Sequence, residues 1–265
     1  MSPLRRLNAV RYVTALQEGG TVPAIVEADD GALYVAKFRA SAQGGRVLAA
    51  EIIVGTLARV AGLNVPELAL CDVDAALGRS EPHAEIRALL IASAGLNLAM
   101  TYLAGAIGYD AAARRPVAGA LASRIVALDV LVANVDRTAR NPNLLWWHDE
   151  LWLIDHGASL YWHHGWDGAD GGADALAAAA ERTDARARTH VLLPLADDLA
   201  QAGADLIRVL DDGVITAAVD AVPDEWLEGA GGRELRPAYL AWLRARRAAL
   251  PRILDEVNRA RPPRV

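Results

Sequence analysis

Two short stretches in the middle of the chain combine acidic and amide side chains at spacings that could support chemistry. Asp136 is followed five residues later by Asn141, and Asn143 directly precedes an apolar run. Asp155 comes twelve residues after Asn143 and opens the triplet Asp-His-Gly. A carboxylate beside a hydroxyl, with carboxylate and amide oxygens for a divalent cation, is the set of groups that phosphoryl transfer requires. The same residue types also form turns and cap helices, so neither stretch is specific by itself.

Lysine occurs once in the chain, at position 37, whereas the other 26 of the 27 lysines and arginines are arginine. A compact ammonium and a planar guanidinium are not interchangeable, so a single lysine indicates a role that arginine cannot fill. Lys37 ends a predicted strand at residues 33–38, and we predict that it contacts the phosphates of a nucleotide. The alternatives are arginine-biased codon usage and an ordinary surface lysine.

Glu51 is the only acidic residue of a predicted helix at residues 46–61. Helical spacing places it on the same small, apolar face as four neighbours: Val47, Val54, Gly55 and Ala58. A carboxylate that faces inward is costly unless it is paired, and Lys37 is the predicted partner. The alternative is a glutamate at the edge of this face, reaching water or Arg59.

A glycine turn, Gly19-Gly20-Thr21, separates the first two predicted strands, at residues 11–17 and 22–27. Glycines allow backbone N–H groups to approach phosphate closely, so this turn is a candidate for nucleotide binding. Most Gly-Gly pairs are ordinary turns, however. The chain contains neither the G-x-G-x-x-G fingerprint nor the Walker A lysine motif.

The balance of residue types narrows the class of protein. Of the 265 residues, 53% are hydrophobic and 23% are charged, which favours a folded chain with a sizeable core. The net charge of −6 indicates no basic face for direct binding of nucleic acid. The single cysteine cannot form an internal disulfide, and we find no signal peptide or membrane-spanning run, so we predict a cytoplasmic protein.

The elements that must position these residues indicate two lobes. We predict a small β-rich N-lobe over residues 1–94 and a mainly helical C-lobe over residues 95–265, hence an α+β fold. Asp29-Asp30-Gly31 predicts a hairpin before the strand that carries Lys37, and Gly62 marks the end of the helix that carries Glu51. A further N-lobe strand is predicted at residues 67–73, and an apolar segment follows at residues 84–94. The predicted C-lobe elements are a helix at 117–133, strands at 144–147 and 151–154, and helices at 195–210, 214–221 and 236–259. Asp129 lies on the helix that enters the Asp136 loop, where we predict a structural hydrogen bond.

The order of the features is more specific than any one of them. A glycine turn, a lysine on a strand, a glutamate on the next helix, Asp-x4-Asn, a hairpin and Asp-x-Gly follow one another as in kinases. The chain resembles the HipA-like kinases, and more distantly the phosphoinositide lipid kinases, over roughly residues 15–165. Residues 134–137 (Asn-Val-Asp-Arg) are similar to the start of the HipA catalytic loop. Residues 61–67 (Ala-Gly-Leu-Asn-Val-Pro-Glu) are similar to the segment behind the lysine-bearing strand.

This resemblance implies a bilobal kinase fold that uses ATP and Mg²⁺ to phosphorylate a Ser or Thr hydroxyl on a protein. It implies Asp136 as the catalytic base, Lys37 on the phosphates, and Asp155 with Asn141 or Asn143 as metal ligands. An antitoxin-like protein partner is a further implication.

The substrate does not follow from the resemblance, because the metal motif reads Asp-His-Gly where protein kinases use Asp-Phe-Gly. A nucleotide-binding pseudokinase and a small-molecule kinase of the same broad fold therefore remain open. The second of these predicts an acidic substrate pocket at residues 167–174.

Overall fold

The computed structural model describes residues 3–16, 22–41, 44–113, 115–167, 172–183, 185–228 and 232–261. A sheet-rich part is followed by a mainly helical part, which is the α+β class predicted from the sequence. The strands of the first part are β1 (Arg5–Ala15), β2 (Ala24–Ala28), β3 (Leu33–Lys37), β4 (Leu68–Val73) and β5 (Gly95–Thr101). They form a closed barrel in the order β1-β2-β3-β5-β4, which β1 completes by running parallel to β4.

The turn between β2 and β3 is a hairpin at Asp29-Asp30-Gly31, as the sequence predicts. Gly31 has φ of 78°, a conformation in which a residue without Cβ is not strained. The interior of the barrel is filled by small and apolar side chains, among them Ala24, Val26, Ala36, Phe38 and Ala99. Alternation along β3 turns Tyr34 and Ala36 into this interior, so the strand is fixed in register between β2 and β5.

Helix α1 (Gly44–Val60) follows β3 and is buried along most of its length. Every residue from Val47 to Ala58 is buried, which is possible because the helix is apolar on all sides. Gly62 follows its C-terminus, with a φ of 72° that is typical of the residue after a helix. The first turn packs tightly, since a Cβ on Gly45 would lie 2.5 Å from the carbonyl oxygen of Trp226.

The predicted apolar segment at residues 84–94 forms helix α2 (Ala84–Ala92), and β5 follows it directly. β5 pairs with β3 on one side and with β4 on the other, so it belongs to the barrel by its hydrogen bonds. The division of the chain at residues 94 and 95 stays a prediction. Gly95 punctuates the sequence at this point, but its φ of 106° lies at the start of a strand.

The remaining elements are β6 (Ile107–Gly108), α3 (Gly119–Leu131), β7 (Leu144–Trp147), β8 (Glu150–Leu153), α4 (Gly172–Ala180), α5 (Leu199–Val209), α6 (Asp212–Asp220) and α7 (Gly232–Arg259). The predicted hairpin is confirmed as β7 and β8, which pair antiparallel. The three predicted closing helices are confirmed as α5, α6 and α7, with ends shifted by a few residues. β6 and α4 were not predicted.

The main hydrophobic core lies outside the barrel and joins the two parts of the chain. It contains Ile52 of α1, Leu128 of α3, Leu153 of β8 and Leu254 of α7. Because α1 belongs to this core, the helix that carries Glu51 is held against the C-terminal part. Among the described residues, no helix has the length and apolar character needed to cross a membrane.

Candidate active site

Three of the predicted site residues meet between the barrel and the helical part; we call Lys37, Glu51 and Asp155 the site cluster. The Lys37 Nζ donates to Glu51 Oε1 at 2.5 Å and to Asp155 Oδ1 at 2.8 Å. Asp155 is 118 residues away from Lys37 in the sequence. The structure therefore brings together residues from β3, from α1 and from the segment after β8.

Local structure explains why Lys37 faces this cluster. Lys37 pairs with Leu98 of β5, and Ala36 pairs with Ala24 of β2. A strand held on both sides has a fixed pleat, so Ala36 points into the barrel and Lys37 points the opposite way, toward α1. Glu51 lies in the middle of α1 and is fully buried, which makes Lys37 its natural counter-ion.

The electrostatics of the site cluster follow from burial and from the two carboxylates. Desolvation works against the charge of Lys37, yet Glu51 and Asp155 together raise the pKa of its ammonium above the ordinary value. Desolvation also raises the pKa of Glu51, although Lys37 opposes the shift. For Asp155, Lys37 and hydrogen bonding outweigh desolvation and hold the pKa below its usual range. Its side chain remains 41% exposed, so it can reach a ligand.

Gly157 allows α1 to approach the segment that carries Asp155. A Cβ at position 157 would lie 2.5 Å from Val47 Cγ1 and 3.4 Å from Glu51 Oε1. Asp155 itself has φ of 54°, an uncommon conformation for a residue with a side chain. Such backbone strain is typical of functional sites, where the surrounding structure holds it in place.

Asp136 and the two candidate asparagines form a second group. The Asn141 Nδ2 donates to Asp136 Oδ2 at 2.6 Å, and the Asn143 Nδ2 donates to the same oxygen at 3.3 Å. The backbone N–H of Asp136 donates to Asn134 Oδ1 at 3.1 Å, which fixes the turn. Both asparagines therefore lie beside the carboxylate of Asp136.

The two asparagines differ in their burial and in their backbone pairing. The carbonyl oxygen of Asn143 accepts from the Ile154 N–H at 3.1 Å, which extends the β7–β8 ladder by one pair. Asn143 is 8% exposed and lies next to the residue that precedes Asp155. Asn141 is exposed on the outer side of the loop.

A buried group beneath the Asp136 loop was not predicted as part of the site; we call Asp129, Arg137 and His190 the scaffold cluster. The Arg137 Nε donates to Asp129 Oδ2 at 2.6 Å, and the His190 Nε2 lies 2.9 Å from the same oxygen. The Asn134 Nδ2 donates to Asp129 Oδ1 at 2.9 Å. Although desolvation opposes ionisation, Arg137 and His190 hold the pKa of Asp129 well below its usual range.

Arg137 also contacts the segments that carry the candidate metal ligands. Its Nη1 donates to the carbonyl oxygen of Asn143 and lies 3.5 Å from that of Ile154. Its Nη2 lies 3.4 Å from Nδ1 of His156, the middle residue of Asp-His-Gly. Burial and the nearby Arg137 lower the pKa of His156 to about 3, so its ring is neutral. The predicted hydrogen bond between Asp129 and the loop is present, with Asp129 as the acceptor and Asn134 and Arg137 as donors.

The oxygen atoms near Asp136 and Asp155 are of the types that bind a divalent cation. Carboxylate and amide oxygens of Asp136, Asn143 and Asp155 are the ligand types that Mg²⁺ prefers. Within the described ranges, no three His, Cys, Asp or Glu side chains form a metal-binding group. A cation here would therefore depend on amide oxygens as well as carboxylates. The predicted glycine turn, Gly19-Gly20-Thr21, lies outside the described residues.

A family model described as HipA-like kinase matches residues 10–166, the range that contains Lys37, Glu51, Asp136 and Asp155. No curated protein matches the chain.

Solved structures show which fold the chain shares. It is similar to the proinflammatory kinase CtkA of Helicobacter pylori, with a TM-score of 0.56 and 12% identity over 96% of this chain and 98% of CtkA. The Golgi casein kinase with Mn/ADP bound gives 0.49 at 11% identity, over 98% of this chain and 74% of that one. A second Golgi casein kinase structure gives 0.45 at 12% identity, over 98% and 72%. Because the latter two TM-scores are below 0.5, the assignment of the fold rests on CtkA.

The likeness to CtkA, at this low identity, shows a shared kinase fold. The family model spans more than half of the chain and includes both predicted motif stretches. The chain therefore belongs to the HipA-like kinase family and is a phosphotransferase of bilobal kinase fold.

Proposed function

We propose that the chain is an ATP-dependent kinase that uses Mg²⁺ to transfer the γ-phosphoryl group to a Ser or Thr hydroxyl of a protein. The observation that carries this proposal is the site cluster, in which the only lysine contacts two carboxylates from different parts of the chain. A buried lysine that is held between α1 and the Asp-His-Gly segment matches the phosphate-binding lysine of kinases.

Lys37 and Glu51 have complementary roles in this proposal. Lys37 supplies a charged donor to the phosphates, and its raised pKa keeps it protonated at neutral pH. Glu51 orients the ammonium from within α1. Asp155 is partly exposed, so its carboxylate can release Lys37 and bind a cation instead.

Asp155 and Asn143 are the preferred metal ligands. The hydrogen bond from the Ile154 N–H to the carbonyl oxygen of Asn143 supports this choice, because Ile154 directly precedes Asp155, whereas Asn141 is exposed. A bound divalent cation would offset the charge of the transferred phosphoryl group. The role left for Asn141 is to orient Asp136 by its hydrogen bond at 2.6 Å.

Asp136 is the group that would accept or orient the proton of the acceptor hydroxyl. It is half-buried, and the N–H contact with Asn134 and the two asparagine amides hold it in place. A carboxylate at hydrogen-bond distance from the hydroxyl is sufficient for this task. The protein acceptor and an antitoxin-like partner rest on the family resemblance alone.

The test uses the purified chain with labelled ATP and Mg²⁺. Wild-type protein is expected to transfer label to itself or to added protein, and Asp136→Ala to reduce transfer about 100-fold or more, because a general base contributes at least that much. Asp205→Ala, which removes an exposed carboxylate on α5, is the matched control and is expected to retain activity. Lys37→Arg is expected to weaken nucleotide binding.

Two outcomes contradict the proposal. Wild-type protein that binds an ATP analogue but transfers phosphate to no acceptor is a pseudokinase. Transfer to small hydroxyl compounds, without transfer to proteins, identifies a small-molecule kinase instead.

A further inference from the structure

We propose that His190 is a positioning residue that sets, through Asp129 and Arg137, the spacing between the Asp136–Asn143 loop and the segment of Asp155. This inference deepens the proposed function and rests on it for the roles of Asn143 and Asp155. His190 lies beyond residues 10–166, the range matched by the family model.

The segment around His190 is joined to the catalytic loop by its backbone. His190 forms an isolated antiparallel bridge with Thr138, and the N–H of Val191 donates to the carbonyl oxygen of Arg137 at 3.0 Å. Thr138 and Arg137 directly follow Asp136. The segment that contains His190 is therefore hydrogen-bonded to the Asp136 loop, although it is distant in the sequence.

The ring of His190 is oriented from both sides. The N–H of Leu192 donates to His190 Nδ1 at 3.0 Å, so the Nδ1 atom is the acceptor and Nε2 carries the proton in the neutral ring. The Nε2 then donates to Asp129 Oδ2 at 2.9 Å. His190 is 6% exposed, so water does not readily replace this donor.

Asp129 links the position of the His190 ring to the position of the Arg137 guanidinium. Its Oδ2 accepts from both His190 and Arg137, and the carboxylate is 1% exposed. Hydrogen bonds to a buried charged group are short and directional, so two donors on one oxygen fix each other's position. Without His190, Asp129 can rotate toward Arg137 and the guanidinium can shift.

Arg137 touches both sides of the candidate metal site. Its Nη1 donates to the carbonyl oxygen of Asn143 and lies 3.5 Å from that of Ile154, the residue before Asp155. A shift of the guanidinium therefore changes the separation of Asn143 and Asp155. Lys37 and Glu51 are joined to each other directly and do not depend on Arg137.

The first arm of the test measures amide hydrogen exchange on the free protein. His190→Ala is expected to speed exchange in peptides that cover residues 134–143 and 153–157. The matched control is His163→Ala, which removes another fully buried histidine whose ring contacts Tyr239 and His164. Equal exchange at these peptides in both variants overturns the inference.

The second arm measures the Mg²⁺ concentration that gives half-maximal binding of a fluorescent ATP analogue. His190→Ala is expected to raise this midpoint up to about 10-fold, the low end of the loss found when a direct partner of a metal ligand is removed, because His190 acts through Asp129 and Arg137. His163→Ala is expected to leave it unchanged. His190→Gln keeps an N–H donor near the position of Nε2 and is expected to restore most of the affinity, which a loss of packing alone does not predict.

The outcomes separate the inference from the proposed function. An unchanged midpoint in His190→Ala, or a His190→Gln variant as weak as His190→Ala, overturns the inference. If wild-type protein binds no nucleotide but the exchange difference is present, the proposed function fails and His190 still positions the two segments.

Discussion

The site cluster and the scaffold cluster both contain a buried carboxylate and a cation, but they differ in how fully the carboxylate is satisfied. Asp129 accepts three hydrogen bonds, from Asn134, Arg137 and His190, and uses both oxygens. In Glu51, Oε1 is bonded to Lys37, while Oε2 is buried without a hydrogen bond of standard geometry among the described residues. The pKa shifts follow this contrast, lowered for Asp129 and raised for Glu51.

The scaffold cluster is therefore a fixed framework, whereas the side chains of the site cluster can exchange hydrogen-bond partners. Burying a carboxylate with incomplete hydrogen bonding costs free energy. In the site cluster the lysine is also bound to Asp155, whose partly exposed side chain a ligand can reach. In the scaffold cluster the carboxylate has donors on both oxygens, which suits a part that only holds the loop.

Neutralising each carboxylate tests this contrast most strongly. Asp129→Asn leaves Arg137 buried beside a neutral amide and is expected to reduce the free energy of unfolding by about 3 kcal/mol. Glu51→Gln is expected to cost less, because Asp155 remains as a partner for Lys37 and desolvation opposes the charge of Glu51. Urea denaturation of both variants at pH 7 measures the difference. Equal losses of stability contradict the distinction.

The pH dependence of stability tests the protonation state of His156, which lies beside Arg137 of the scaffold cluster. The folded-state pKa of His156 is lowered to about 3, so the unfolded chain binds more protons between pH 3 and about 6.5. Stability is therefore lost as pH falls through this window. His156→Asn removes the titration, so the stability of the variant relative to wild type should improve by about 2 kcal/mol from pH 7.5 to pH 5. Urea titrations at the two pH values measure this change; a constant difference would falsify the buried neutral state of His156.

Asn143 joins the two clusters, and its side chain provides the smallest test. Its carbonyl oxygen contacts Arg137, whereas its amide lies beside Asp136. Asn143→Ala keeps the carbonyl group, so we expect stability close to that of wild type but a Mg²⁺ midpoint for nucleotide binding raised about 10-fold. Asn141→Ala is the matched comparison and is expected to change the midpoint less. The reverse order would identify Asn141 as the metal ligand.

Much of the fold followed from local patterns in the sequence. The β2–β3 hairpin was predicted from Asp-Asp-Gly, and α1 from its length and from Gly62. β5 was missed because Gly95 resembles a boundary, while its pairing with β3 and β4 is decided by tertiary contacts. α4 was missed because it follows a glycine- and aspartate-rich stretch, and β6 because it has two residues.

Residues of the candidate site could be predicted where a residue type was rare in the chain or where the helical periodicity of the sequence was clear. Lys37 stands out as the single lysine, and Glu51 as the single acid of its helix. Arg137 stands in the Asn-Val-Asp-Arg motif, but its contacts with Asp129 and Asn143 could not be predicted from its type, because it is one of 26 arginines. His190 could not be found because it contacts Asp129 across 61 residues. Such partners become visible only when the chain is folded.

The burial of α1 has a consequence for how the protein can be controlled. The helix is enclosed on all sides from Val47 to Ala58. Swinging it outward far enough to expose four of its large aliphatic side chains would cost roughly 6–12 kcal/mol, comparable to the whole stability of a domain. This free-energy cost is too large for regulation by an outward swing of the helix. The burial that holds α1 in place also holds Glu51 against Lys37.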